Sequence, residues 1–584
     1  MTLRLGPALL LLLPQAAQAD TLAITGALIF EASGKAPYQG TLVIHDGRIE
    51  ALGPDVKPPR GARILRAHGQ ALLPGFIDVH THWGPGGEPG TLPAIASRYI
   101  QSGVTTVNDF HQQPEAFAPR RAWLAGLVAP HVNFVARIST PGGHGADWGD
   151  MATTRWVSNP DSATAAVTAL QAYRPDHIKL FADGWRYDMD PDNSSMNLET
   201  MAAAVKIAHA HGQKVLSHIV TVDHGRKAAR AGVDVIAHSL QDRPIDPDTV
   251  ETIRKAGTFY APTLAIYEPR KPADTQEPDI ADPIVRQRIR KYAFAEANLL
   301  ALHKAGVPVA LGTDAGITGA PHGSSTLHEM ELMVRAGLSP TEALTAATAT
   351  AARALALDAD RGRLAPGLRA DMLLINGRPW DNIEDVRRIT HVLRDGQLVL
   401  GPKTPLPPAN RAAALSPTPV PALIDDFERA DDRTSLDTLR LTEMETGTDR
   451  SLVLPGRIAR TEGGHSLMVA ARMADKPAPR ARVILPLSRG SVQPVDVRAH
   501  GGLRLELRGS GPYDIRLVTL AGTWVARIEG GTSWRQIKLP FTAFQPEGRT
   551  PTGWQGNDLL QISIELTRPA GAPAWAELDN ISFY

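Results

Sequence analysis

Two-residue alternation opens the chain once the first twenty positions are passed. In TLAITGALIF and GTLVIHDGRIEAL, apolar and polar side chains fall on opposite faces between Gly and Asp turns, so residues 20–74 read as short strands. From Gly75 to about Asp360 the rhythm changes. Short apolar runs (GVTTVNDF, HVNFVARIST, DHIKLFADG, KVLSHIV, DVIAHS, TFYAPTL, VPVALGTDAG) alternate with helical stretches such as LETMAAAVKIAHAHG and IVRQRIRKYAFAEANLLALHKAG. About eight strand–helix units in residues 75–360 predict an α/β fold, a (β/α)8 TIM barrel. After STLHEMELMVRAG and PTEALTAATATAARALAL, the runs GRLAPGLRADMLLING and ITHVLRDGQLVL return to strand character. Residues 361–402 are therefore expected to join residues 20–74 in one discontinuous small β-sandwich. KTPLPPANRAAALSPTPVPA, residues 403–422, reads as a Pro/Ala-rich linker. Residues 423–584 alternate strand and turn signals (GGLRLELRG, YDIRLVTL, TWVARIEGG, LLQISIELT), predicting a C-terminal β-sandwich of jelly-roll type.

Composition narrows the class. The 584 residues exceed one ordinary domain, and 61 basic against 61 acidic side chains leave no broad nucleic-acid footprint. The start, MTLRLGPALLLLLPQAAQAD, orders a basic residue (Arg4), an apolar core and Ala17-Gln18-Ala19. That is a secretory signal peptide over residues 1–19, and it predicts a periplasmic or secreted protein. No later segment is apolar for long enough to suggest an integral membrane helix. With no cysteine in the chain, there is no lipobox anchor, and any metal must be held by nitrogen or oxygen ligands.

Candidate chemistry collects at the ends of the predicted barrel strands. His80 and His82 in PGFIDVHTH share one strand face. His218 ends KVLSH, His238 ends DVIAH, and Asp314 ends VALGTD, while Lys179 lies on the predicted fourth strand. Barrel active sites are built at that end of the strands, so these residues are expected to converge.

In this order, H-x-H, Lys, His, His, Asp resembles the metal-dependent amidohydrolase superfamily. The match continues through SGVTTVNDF, GGHG, HIKLFADG, VDVIAHS, GTDAG, GLSPTEALTAAT and GRLAPGLRADMLLI, spanning roughly residues 20–401. Its nearest branch is the imidazolonepropionase-like group with Xaa-Pro dipeptidase-like and ochratoxin-amidase-like members. The resemblance implies two divalent metal ions, foremost zinc. His80, His82 and Asp314 would hold the more buried ion, His218 and His238 the second, and an N6-carboxylated Lys179 would bridge them. It further implies a metal-bridged hydroxide as nucleophile, with Asp314 passing its proton to the leaving amine. The expected reaction is hydrolysis of an amide or other C–N bond in a small-molecule substrate, such as an N-acyl amino acid or dipeptide. Lactone or ester hydrolysis in the same site is the enzymatic alternative, and a non-catalytic envelope glycan-binding protein is the other.

Around this set, His144 in PGGHGADWG is expected to touch the substrate. Trp185, Arg186, Tyr187, Gln241 and Tyr260 are further candidates for the substrate wall. The segment IAHSLQD, with Ser239 and Gln241, departs from the HG-then-tyrosine pattern of many dipeptidase-like relatives. His209, His211 and His224 are read as surface or helix-end histidines, and Trp83 is given no role. The last 160 or so residues, with LIDDFE, WRQIKLPFTAF and ELDNISFY, resemble galactose-binding-like jelly rolls related to complex I intermediate-associated proteins. That resemblance implies either glycan binding or a role in stabilising a homo-oligomer. Asp425, Asp426 and Asp579 are read as turn and edge acids ahead of a structural calcium site.

Overall fold

The computed structural model describes residues 21–83, 92–146, 153–182, 194–269, 278–317, 319–407, 415–445 and 449–584. The predicted signal peptide lies outside these residues. Seven parallel strands pair in chain order: Phe76–Thr81, Val104–Asp109, His131–Ser139, His177–Phe181, Val215–His218, Val235–Ala237 and Phe259–Ala261. Residues 308–315 close the ring. On one side Tyr260 N donates to Pro308 O and Ala310 N to Tyr260 O; on the other, Val79 N donates to Leu311 O and His82 N to Ala315 O. The TIM barrel read from the alternating runs is thus the observed fold.

Side-chain alternation explains why these runs form a barrel. Phe134, Ala136, Ile138, Ile178, Leu180 and Ile236 point into the large apolar cluster shared with the outer helices. Val135, Leu216, Val235, Ala261 and Ala310 belong to a separate inner cluster. The outer helices carry local signals of their own. Pro247–Ala256, for example, starts on Asp246, whose side chain accepts from Thr249 N at 2.9 Å. The stretch PTEALTAATATAARALAL runs as α over Pro340–Thr345, π over Ala346–Thr350 and α over Ala351–Ala354. The widened turn leaves Ala346 O to accept from Leu311 N at 3.0 Å, so the irregularity anchors the ring-closing segment.

Both ends of the amidohydrolase-like region share one sheet. Its order is Gln397–Leu400, Ile389–Arg394, Met372–Ile375, Ala71–Pro74, Thr21–Ile29, Tyr38–His45, Arg48–Gly53, with Arg63–Arg66 added beside Thr21–Ile29. Ala71–Pro74 runs through Gly75 directly into the first barrel strand, and Gly75 N donates to Asp371 O, which fixes where that strand begins.

The C-terminal region forms two mostly antiparallel sheets enclosing Phe427, Leu505, Tyr513, Ile515, Ile564 and Leu578. Within the stretch expected as linker, Thr418–Pro419 pairs with Val495–Asp496, and Leu406 and Leu415 pack on the barrel cluster. Pro/Ala composition does not reveal such docking, because it depends on the partner surface. The carboxylates weighed for calcium are engaged elsewhere. Asp425 accepts from Arg440 Nε at 2.6 Å and Nη2 at 3.0 Å, Asp579 pairs with Arg460, and Asp426 accepts from Ser435 Oγ at 3.1 Å. Among the described residues no helix is long and apolar enough to cross a membrane.

Candidate metal centre

Three donors meet where the first strand and the ring-closing segment end. Asp314 Oδ1 lies 3.0 Å from His80 Nε2 and 2.9 Å from His82 Nε2, and the two Nε2 atoms are 3.3 Å apart. Around an ion with bonds of about 2.0–2.1 Å, tetrahedral ligands sit about 3.3 Å from one another, so these residues fit a zinc-like cation. Backbone placement supports the cluster. Asp78 Oδ2 accepts from Thr313 Oγ1 at 2.7 Å and Thr326 Oγ1 at 2.8 Å, tying the first strand to the closing segment. Gly316, at φ +104°, passes so close that an added Cβ would sit 1.9 Å from His82 O; only glycine fits the end of GTDAG.

Electrostatics suits a cation. Burial and the Lys179 charge push His80 well below the usual histidine range, against the pull of Asp314. Burial works to raise Asp314, yet His80, His82 and His238 hold it well below the ordinary carboxylate range. The result is an anionic oxygen facing imidazole nitrogens, a donor set for a divalent ion. Asp78, fully buried, is pushed up to about 7 by burial against the pull of its hydroxyl and backbone donors.

The remaining candidates flank this trio. The His218 and His238 ring centroids are 4.3 Å apart, and His238 lies 4.5 Å from His80. Burial and neighbouring charge hold His218 and His238 well below the usual range. His238 Nδ1 pairs with Thr263 Oγ1 at 2.9 Å, so Nε2 is the nitrogen that could face a cation. His238, Thr263 and Asp314 all adopt positive φ, at 86°, 48° and 60°. Strained backbone at non-glycine residues concentrates at functional sites. Lys179 is 1% exposed, with Nζ 4.6 Å from the Phe110 ring centroid.

His144 stacks on His218 with centroids 4.1 Å apart, and its carbonyl accepts from Ser139 Oγ at 2.7 Å. Gln241 is buried, its N donating to Val220 O. Tyr260, expected on the substrate wall, is fully buried, and its hydroxyl accepts from Leu240 N at 2.9 Å; it braces the turn after His238. Trp185, Arg186 and Tyr187 lie outside the described residues. His209 pairs with Asp234 at 2.7 Å and His224 Nδ1 with Thr221 Oγ1 at 2.7 Å, away from the cluster. Trp83 stacks on Tyr99 at 5.3 Å, in the core.

Sequence reasoning passed over two neighbours of the site. His111 Nδ1 lies 3.3 Å from His82 Nδ1, and burial with the Arg137 charge pushes His111 well below the usual range. Tyr267 sets its ring edge-on to His238 at 5.8 Å. His111 sits just past the end of VTTVND, the same strand-end logic that singled out the others, but it forms no H-x-H pair. A second grouping, His131, Asp371 and Asp395, lies where the third strand begins. Arg369 pairs with the same Asp395 oxygen that faces His131, and Arg394 lies 3.6 Å from Asp395, so this is an ion-pair network.

The amidohydrolase family matches residues 71–399, more than half of the chain, and the chain belongs to that family of hydrolases. Ochratoxinase from Aspergillus niger is 25% identical over 439 residues, covering 66% of this chain and 88% of that protein. Imidazolonepropionase from Chromobacterium violaceum is 26% identical over 392 residues, covering 59% and 87%. Among solved structures, a Bifidobacterium longum protein assigned as a prolidase is 27% identical, with a TM-score of 0.57 over 68% of this chain and 98% of its own. Divalent metals are typical of the superfamily, in keeping with the donor set above.

Proposed function

We propose that this protein is a binuclear metal-dependent amidohydrolase that cleaves an amide or related C–N bond in a small molecule. The observation that carries the reading is the convergence of His80, His82 and Asp314 on one point with spacing suited to a zinc-like ion. In this reading His80, His82 and Asp314 would hold the first ion, His218 and His238 the second, and a carboxylated Lys179 would contribute oxygen ligands to both. When bound, the ions would supply Lewis acidity and a water of lowered pKa. Asp314 takes the proton from the attacking water and returns it to the leaving nitrogen, a task suited to a carboxylate kept ionised by its imidazole neighbours. His144 would bind the carbonyl oxygen of the substrate, a role supported by its stacking on His218. Ochratoxinase and the prolidase-assigned relative make amides of amino acids the first substrates to try. A signal peptide over residues 1–19 would deliver the enzyme to the periplasm or outside.

The test is a hydrolysis screen of N-acyl amino acids, dipeptides including Xaa-Pro, cyclic amides and lactones with added zinc. Turnover of at least one C–N substrate is expected, and Asp314→Asn should abolish most of it while the protein stays folded. Turnover confined to lactones would overturn the amide assignment, and wild-type rates in Asp314→Asn would overturn the proton shuttle.

A further inference from the structure

The C-terminal β-sandwich meets the barrel next to the metal ligands. The chain leaves the second barrel strand at Asp109, passes His111, and turns through a 3-10 turn at Pro114–Ala116. On that turn Glu115 is nearly buried, and its carboxylate pairs with Arg433 of the C-terminal region at 2.6 Å. Arg433 is itself steadied by donating to Asp437 O at 2.7 Å. The turn Arg489–Ser491 presses on the same spot. Gly490, at φ +66°, approaches Ala116 so closely that an added Cβ would lie 2.5 Å from its Cα. Val492, 1% exposed, belongs to the barrel's own apolar cluster.

Only a few residues separate this contact from His82. With Nε2 given to an ion, the other nitrogen of His82 would carry the ring's proton, and that nitrogen lies 3.3 Å from His111 Nδ1. His111 is in turn held by its backbone N on Asp109 Oδ1 at 2.9 Å. A buried carboxylate without its cation is strongly disfavoured, so the position of Glu115, and of the turn that carries it, depends on an arginine from the other region.

We propose that the C-terminal β-sandwich is a working part of the metal site: it clamps the turn Pro114–Ala116 and thereby holds His111 where it orients His82 for the ion. His111 is a positioning residue, and Arg433 and Gly490 are the clamp. The inference rests on the reading that His80, His82 and Asp314 hold a metal.

The test measures zinc affinity of the full-length protein by chelator competition, together with thermal unfolding, for Arg433→Ala, His111→Ala, the double variant and Arg433→Lys. Arg433→Ala and His111→Ala should each weaken zinc binding about tenfold or more, the range typical of residues that orient a ligand. The double variant should bind no more weakly than His111→Ala, because both act through one ring. Arg433→Lys, which keeps the cation, should recover most of the loss. Unchanged affinity in Arg433→Ala, or losses that multiply in the double variant, would overturn the proposal. Should Arg433→Ala not fold, Gly490→Ala carries the same test by pushing on Ala116: weakened zinc binding supports the clamp and wild-type affinity refutes it. A wild-type protein that binds no zinc would instead defeat the underlying metal reading.

Discussion

Lys179 and Arg137 stand opposite each other on neighbouring barrel strands, paired in register and almost fully buried. The positive charge of Lys179 pushes His80 and His218 down, beside the stronger effect of their burial. Carboxylation would remove that positive charge and supply two anionic oxygens as ligands in its place. Lys179→Ala is therefore expected to lose the second ion and most turnover, with partial rescue by a short carboxylic acid. Metal stoichiometry by mass spectrometry checks this. Two ions per chain and an unchanged rate in Lys179→Ala would rule out the bridge.

Thr263 backs the proposed site of the second ion. Its hydroxyl holds His238 Nδ1 at 2.9 Å, and valine would keep the side chain's shape without that bond. Thr263→Val should fold normally and bind the second ion about tenfold more weakly. Titration with zinc against a chelator reads the effect, and an unaltered second site would show that Thr263 does not orient the ring.

Stability should show a histidine-dependent fall on the alkaline side. Burial works against the charged form of His328, but bonds to Glu268 and Glu331 prevail and raise it to about 9 from an ordinary 6.5. A raised folded-state value means that the contribution is fully present below about 6.5 and is lost as pH climbs through about 9. His328→Gln should thus be less stable than wild type at pH 6, with the gap closing by pH 10. Denaturant midpoints across that range measure it, and a constant gap would contradict the assignment.

Much of this architecture could be read from periodicity. Each barrel strand is a short apolar run, and the ligand candidates end those runs, so the runs predicted convergence on one barrel face, while the grouping of His80, His82 and Asp314 came from the family resemblance. The return of strand character after residue 361 likewise predicted one β-domain built from residues 20–74 and 361–402, whose strands share a sheet. What escaped was whatever depends on packing between distant segments. Nothing local in DFHQQPEA shows that His111 would lie against His82, or that Glu115 would find Arg433 over 300 residues later. The π turn at Ala346–Thr350, where Ala346 O accepts from Leu311 N of the ring-closing segment, is likewise something helix propensity cannot report. Nor does the run TFYAPTL show that the hydroxyl of Tyr260 would accept from the backbone at Leu240.

The central claim is that the protein works as a metal-dependent hydrolase, and metal dependence of turnover tests it most directly. Full-length protein should hydrolyse a small amide, lose that activity on exhaustive chelation while remaining folded, and regain it as zinc is returned, with recovery saturating near two ions per chain. Hydrolysis that persists undiminished in the folded, metal-stripped protein would contradict the account.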